Sequence, residues 1–178
     1  MSATAHEGGR IEIVNNGRIA AGSSGSMSFR LSGGEVSYTG SGAVGNSETG
    51  TGEYIEAYVG DGGGKLTFTG DAMVLDIRVR SADRAELNIG DNVKYLQFHL
   101  DIDGETRPKL TGVISANQNA VSFYVTDETL TQAMTASEAY EYLADLLPEL
   151  DLDAPDRQIY MNICGKDGMI CHDDSIIL

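Results

Sequence analysis

The sequence predicts a mainly β fold, an antiparallel β-barrel or β-sandwich, with one amphipathic helix in the C-terminal half and a final β-hairpin. Three observations predict it. Apolar and polar residues alternate with period two in many short runs, Gly-rich turn signals separate the runs, and one stretch alone has helical periodicity.

The strands come first. Met27, Phe29 and Leu31 alternate with Ser28, Arg30 and Ser32. Leu75, Ile77 and Val79 alternate with Asp76, Arg78 and Arg80. Leu96, Phe98, Leu100 and Ile102 share one face of a strand, opposite Tyr95, Gln97, His99 and Asp101. Val121, Phe123 and Val125 repeat the pattern. Alternation of this kind marks a strand with one buried and one solvated face, the usual state of antiparallel sheets. Gly33-Gly34, the glycines of 60–64, Asp103-Gly104 and Asp167-Gly168 supply hairpin turns, because Gly tolerates positive φ. About twelve short strands at close spacing make a sandwich or a barrel meander.

The helix is predicted over 135–147. Thr135 and Glu138 form a capping box, Ala139, Leu143, Leu146 and Leu150 recur at helical spacing, and Pro148 ends the run. Residues 128–133 read as a further short helical turn, and 158–163 with 169–178 as the closing hairpin. One β-rich domain is expected over 1–178, with 1–9 frayed. Residues 20–52 are rich in Gly and Ser. They read as weak edge strands joined by loops, as a mobile functional loop, or as a membrane-inserting hairpin.

Charge narrows the function. Twelve Lys and Arg against 27 Asp and Glu give a net charge of −15. Nucleic-acid phosphates and anionic lipid call for clustered cations, so neither is an expected partner. No apolar run approaches the roughly 20 residues of a membrane helix. The N-terminus lacks the basic start and apolar stretch of a signal peptide. The expected location is the cytoplasm, or outside the cell by a signal-independent route.

The catalytic and cofactor motifs fail in context. Residues 40–45 spell G-x-G-x-x-G, but 46–52 make a poor helix for a pyrophosphate to meet. The glycines before Lys65 are one residue short of a phosphate loop, and Leu66 stands where Ser or Thr must hold magnesium. There is no nucleophile elbow and no zinc-protease motif. Asp101, Asp103 and Glu105 open like a calcium loop, but Arg107, Pro108 and Lys109 follow where oxygen donors belong. Cys164, Cys171 and His172 are one ligand short of a structural zinc site. No cofactor and no metal are expected.

A two-residue turn at Asp167-Gly168 sets Cys164 opposite Cys171, with Cα atoms about 5.5 Å apart and within disulfide range. Two reduced thiols packed as small hydrophobes suit a cytoplasmic chain, and an oxidised pair an exported one.

The candidate ligand-binding residues are Tyr95, Gln97 and His99 on one strand, with Asp76 and Arg78 on another. In a sandwich their face is solvent; in a closed barrel it lines a cavity. Pairing of Glu86 across to Asp76 and Arg78 would make the set a surface charge ladder.

Gly50, Thr51, Gly52 and Tyr54, followed by Ala57, Gly60 and the strand from Leu66 to Gly70, resemble a segment of the allene oxide cyclase and dirigent-type barrels. The resemblance covers about 20 residues (50–70) and implies an eight-stranded barrel whose cavity orients a hydrophobic intermediate during cyclisation or coupling. That family carries the segment late in its barrel, whereas here it lies in the first half, and no catalytic residue of the family maps onto this chain.

Three functions are therefore carried forward. The first is a non-enzymatic binding or assembly module on an antiparallel scaffold, meeting a protein partner or a second copy. The second is a barrel for a small hydrophobic ligand, a carrier or a cyclase or isomerase acting by cavity templating. The third is a secreted membrane-active protein.

Overall fold

A computed structural model describes residues 2–20, 26–45, 54–60, 62–80, 84–103, 106–114, 120–152 and 156–177. The chain winds as a two-sided coil. Sheet A takes β1 (Ser2–His6), β4 (Ser26–Ser32), β7 (Tyr54–Val59), β9 (Ala72–Arg80), β11 (Val93–Ile102), β13 (Ala120–Asp127), β15 (Gln158–Cys164) and β16 (Ile170–Ile177), side by side in that order. Sheet B takes β2 (Arg10–Val14), β5 (Gly34–Thr39), β8 (Gly64–Phe68), β10 (Arg84–Ile89), β12 (Lys109–Ile114) and β14 (Glu149–Asp151), again in chain order. In the first two turns β3 (Arg18–Ala20) and β6 (Ala43–Gly45) add a short third side.

Each pass lays one strand on A, turns a corner, lays one on B and returns one position further along. Neighbouring strands within each sheet are parallel from β1 to β15. Among the described strands, the last hairpin alone, β15 with β16, is antiparallel. The architecture is a parallel β-solenoid, in which each turn contacts its neighbours.

This corrects the expected antiparallel barrel or sandwich. The strand runs and their buried faces are where the alternation puts them, but the strands following the 33–34 and 60–64 turns cross to the other sheet instead of folding back. The error has a physical cause. Alternation reports that one face is solvated, and a solenoid exposes the outer face of a parallel sheet just as an antiparallel sheet exposes one of its own.

The core lies between the sheets and is filled. Sheet A contributes the columns Met27, Ile55, Leu75, Leu96, Val121, Ile159 and Phe29, Ala57, Ile77, Phe98, Phe123, Met161, all buried. Sheet B answers with Val36, Tyr38, Leu66, Phe68, Leu87 and Ile89. In-register stacking puts like on like: Phe98 lies 5.1 Å from Phe123 and Tyr38 lies 4.7 Å from Phe68, ring over ring. Tyr38 also meets Phe29 of the other sheet at 6.4 Å.

Corners are tight. At Gly63, φ is +68° and a Cβ would stand 1.7 Å from the Arg84 carbonyl oxygen, so only glycine lets the chain turn there.

α1 (Ala136–Leu146) occupies its expected place, with Thr135 and Glu138 forming the reciprocal capping box. It buries Ala139, Leu143 and Leu146 and packs against β15 and β16 at the C-terminal end of the coil. Residues 128–133 form a turn and irregular chain, not a helical turn. Asp127 docks this insertion: its Oδ1 accepts from the Thr129 amide and hydroxyl, at 2.9 and 2.6 Å, and its Oδ2 from the Tyr142 hydroxyl at 2.7 Å.

Of 20–52, residues 26–45 supply strands to the coil, and Met27, Phe29, Leu31, Val36 and Tyr38 are buried in its core. The remainder of that region, 21–25 and 46–52, lies outside the described residues, as does 50–53 of the family-like segment, whose later part runs as β7, a corner and β8. No described helix is long and apolar enough to cross a membrane.

Candidate functional site

The five predicted residues all lie on the outer face of sheet A, and stacking brings four of them into direct register. Asp76 pairs with Gln97, and Arg78 with His99, across β9 and β11. Tyr95 lies one pleat away opposite Val74, 53% exposed. They line no lumen; they form the middle of the outer wall of sheet A. Glu86 does not join them. It belongs to sheet B and pairs with Lys65 at 2.6 Å.

The centre of the wall is Asp76, with no exposed surface. Its Oδ2 accepts from the Tyr54 hydroxyl at 2.5 Å and from Arg78, Nε at 3.2 Å and Nη2 at 2.9 Å. His99 Nε2 stands 3.5 Å from Oδ1, beyond good hydrogen-bond distance. Glu56, in register with Asp76 on β7, lies 3.8 Å from the same Nη2. A buried carboxylate needs such company, because an uncompensated charge away from water is costly.

The ionisable neighbours respond. Burial, reinforced by the hydrogen bond to Asp76 and its charge, pushes the Tyr54 hydroxyl up to about 12. Tyr54 is thereby held as a proton donor, not a base. Burial alone would lower Arg78, but its bonds to Tyr54 and Asp76 outweigh it and push the guanidinium further up.

Around this centre runs a column one residue wide: Arg30, Tyr58, Arg78, His99, Tyr124 and Asn162, from successive strands in register. The guanidiniums of Arg30 and Arg78 lie 5.8 and 5.7 Å from the Tyr58 ring centroid. His99 stacks on Tyr124 at 4.7 Å, and Tyr124 meets Tyr160 at 5.9 Å with tilted rings. Tyr160 donates to Asp173 of β16.

Five of the chain's eight tyrosines, Tyr54, Tyr58, Tyr95, Tyr124 and Tyr160, are thus on one sheet face. Sheet B differs. Its one tyrosine, Tyr38, is buried, and its outer face carries two cross-strand ion pairs, Lys65 with Glu86 and Lys109 with Glu149 at 2.7 Å.

Sequence reasoning found Asp76, Arg78, Tyr95, Gln97 and His99 and missed Arg30, Tyr54, Tyr58, Tyr124 and Tyr160. All five sit at polar-face positions of their strands; which strands are neighbours is what the alternation does not encode.

At the other predicted site, Cys164 is across from Ile170, not Cys171, because the pairing slips after Ile163. The turn is a 3-10 turn over Lys166–Gly168, longer than the two-residue hairpin expected. Both cysteines are free thiols, and burial pushes that of Cys171 up. Among the described residues no three His, Cys, Asp or Glu side chains are grouped so as to hold a metal ion.

No protein-family model matches this chain, nor does any curated protein or solved structure.

Proposed function

We propose that the protein is a non-enzymatic binding module and that the outer face of sheet A receives a protein partner. One observation carries this: five of eight tyrosines stand with Arg30, Arg78 and His99 on one face, whereas the one tyrosine of sheet B is buried. Tyr and Arg dominate binding hot spots, since they offer large contact areas together with hydrogen bonds. Here Arg78, His99 and Tyr58 are already held by stacking and by Asp76, which lowers the entropy lost on binding. A solenoid suits the role, because a rigid stack holds a row of side chains at the strand spacing of about 4.8 Å.

The test is affinity capture with the full chain, run beside Tyr58→Ala, Arg78→Ala and Tyr124→Ala. Lys65→Ala on sheet B is the control. A partner held through the proposed face is lost about tenfold or more in each of the first three variants and kept in the control. Equal capture by all four chains, or equal loss from the control, overturns the reading.

A further inference from the structure

The two ends of the coil are finished differently. At the C-terminal end β16 reverses direction, carries Asp173 and Asp174, and is backed by α1. At the other end β1, β2 and β3 are, among the described residues, the outermost strands of the three sheets. Their inward residues Ala3, Ile11, Ile13 and Ile19 pack on the core but stay only partly buried, and Val14 beside them is 61% exposed. β1 and β2 contain no Pro and no Lys, and no bulge interrupts their pairing with β4 and β5. Proline, lysine and bulges are among the devices that keep open edges apart, and these strands carry none of the three; the charges β2 does carry, Arg10 and Glu12, are of opposite sign.

We propose that this first turn is an interface with a second copy of the chain, the two coils meeting end to end about a two-fold axis normal to the sheets. That axis sets β1 antiparallel to its copy and β2 antiparallel to its copy, continuing both sheets through the junction. The last turn presents different edges, the reversed β16 on sheet A and the three-residue β14 on sheet B, so the contact pairs first turn with first turn; it is isologous and closes as a dimer instead of growing into a fibre. Residues 2–20 form the face, close to the roughly 20–30 residues a side of a standard interface.

The sequence of β2 supports self-pairing. Arg10 and Glu12 are both exposed and lie 3.6 Å apart within the chain. With Ile11 on the axis, Arg10 of each copy faces Glu12 of the other, and Ile11 and Ile13 stay on the core side. A register two residues away sets Glu12 against Glu12 and is disfavoured.

The mass of the full chain is measured in solution across a dilution series, by light scattering and native mass spectrometry. The wild type is expected as a dimer. Arg10→Glu sets like charges together and weakens the dimer about tenfold or more, and Arg10→Glu with Glu12→Arg restores it. A monomer at every concentration, an open-ended series of oligomers, an unaffected Arg10→Glu chain, or a double variant that fails to recover each overturns the proposal. The restored double variant also excludes misfolding as the cause of the single variant's loss.

Discussion

The Tyr54 hydroxyl lies 2.5 Å from Asp76 Oδ2 and gives its hydrogen to a carboxylate with no exposed surface. The contact is diagonal. Tyr54 pairs in register with Val74, and a long side chain on β7 reaches the residue two further along β9. It joins two turns of the coil at one of the points where the chain buries a charge.

Alkaline pH therefore weakens the fold at this contact. The phenol ionises near 10 in the unfolded chain and near 12 in the folded one, raised by burial and by Asp76. The contribution is fully present below pH 10 and is lost as pH rises through 12, because only the unfolded chain releases the proton in between. Tyr142, raised by burial and then by Asp127, acts in the same direction. Urea midpoints from pH 9 to 12 are expected to fall less steeply for Tyr54→Phe than for the wild type; parallel curves would remove Tyr54 from the account.

Acid acts at the docking of the helical insertion. Burial by itself would raise Asp127, but bonds from Thr129 and Tyr142 and the charge of Arg107 prevail and hold it below its ordinary 3.8. Stability from this group is present above the ordinary value and lost as pH falls through the lowered one. Asp127→Asn should melt lower than the wild type at pH 7, and the gap should narrow below pH 4. A gap independent of pH would mean that packing, not charge, is what the substitution removes.

A corner glycine should outweigh many core residues. Gly63→Ala places a methyl group where the Arg84 carbonyl stands, at a positive φ as well. The loss expected is about 3 kcal/mol or more, since strain and a backbone clash add. Gly17→Ala, whose Cβ would meet nothing within 4 Å, serves as the reference. Chemical denaturation of both variants checks the difference, and similar midpoints would sink the corner argument.

The candidate wall was legible in pieces. Asp76 and Arg78 are two apart on one strand, as are Gln97 and His99 on another, so alternation alone placed each pair on one face. Tyr54 and Tyr58 come about 20 residues before Asp76 and Arg78, and Tyr124 comes 25 after His99. Their meeting depends on stacking order. Nor does a repeat announce it. In-register residues Ser28, Glu56, Asp76, Gln97, Ser122 and Tyr160 are separated by 28, 20, 21, 25 and 38 positions, because corner loops differ in length and one carries a helix.

What the sequence determined by itself was local: which residues alternate inward, where α1 begins and how it is capped, and that the final strands form a hairpin. Pleat, helical period and side-chain capping act over a few residues, so a short window contains them. What only the tertiary structure decided was direction and neighbourhood. A strand pleats alike beside a parallel or an antiparallel neighbour, so nothing within Met27–Ser32 or 75–80 states which strand lies alongside. The coil settled that, and with it the gathering of five tyrosines on one face of sheet A.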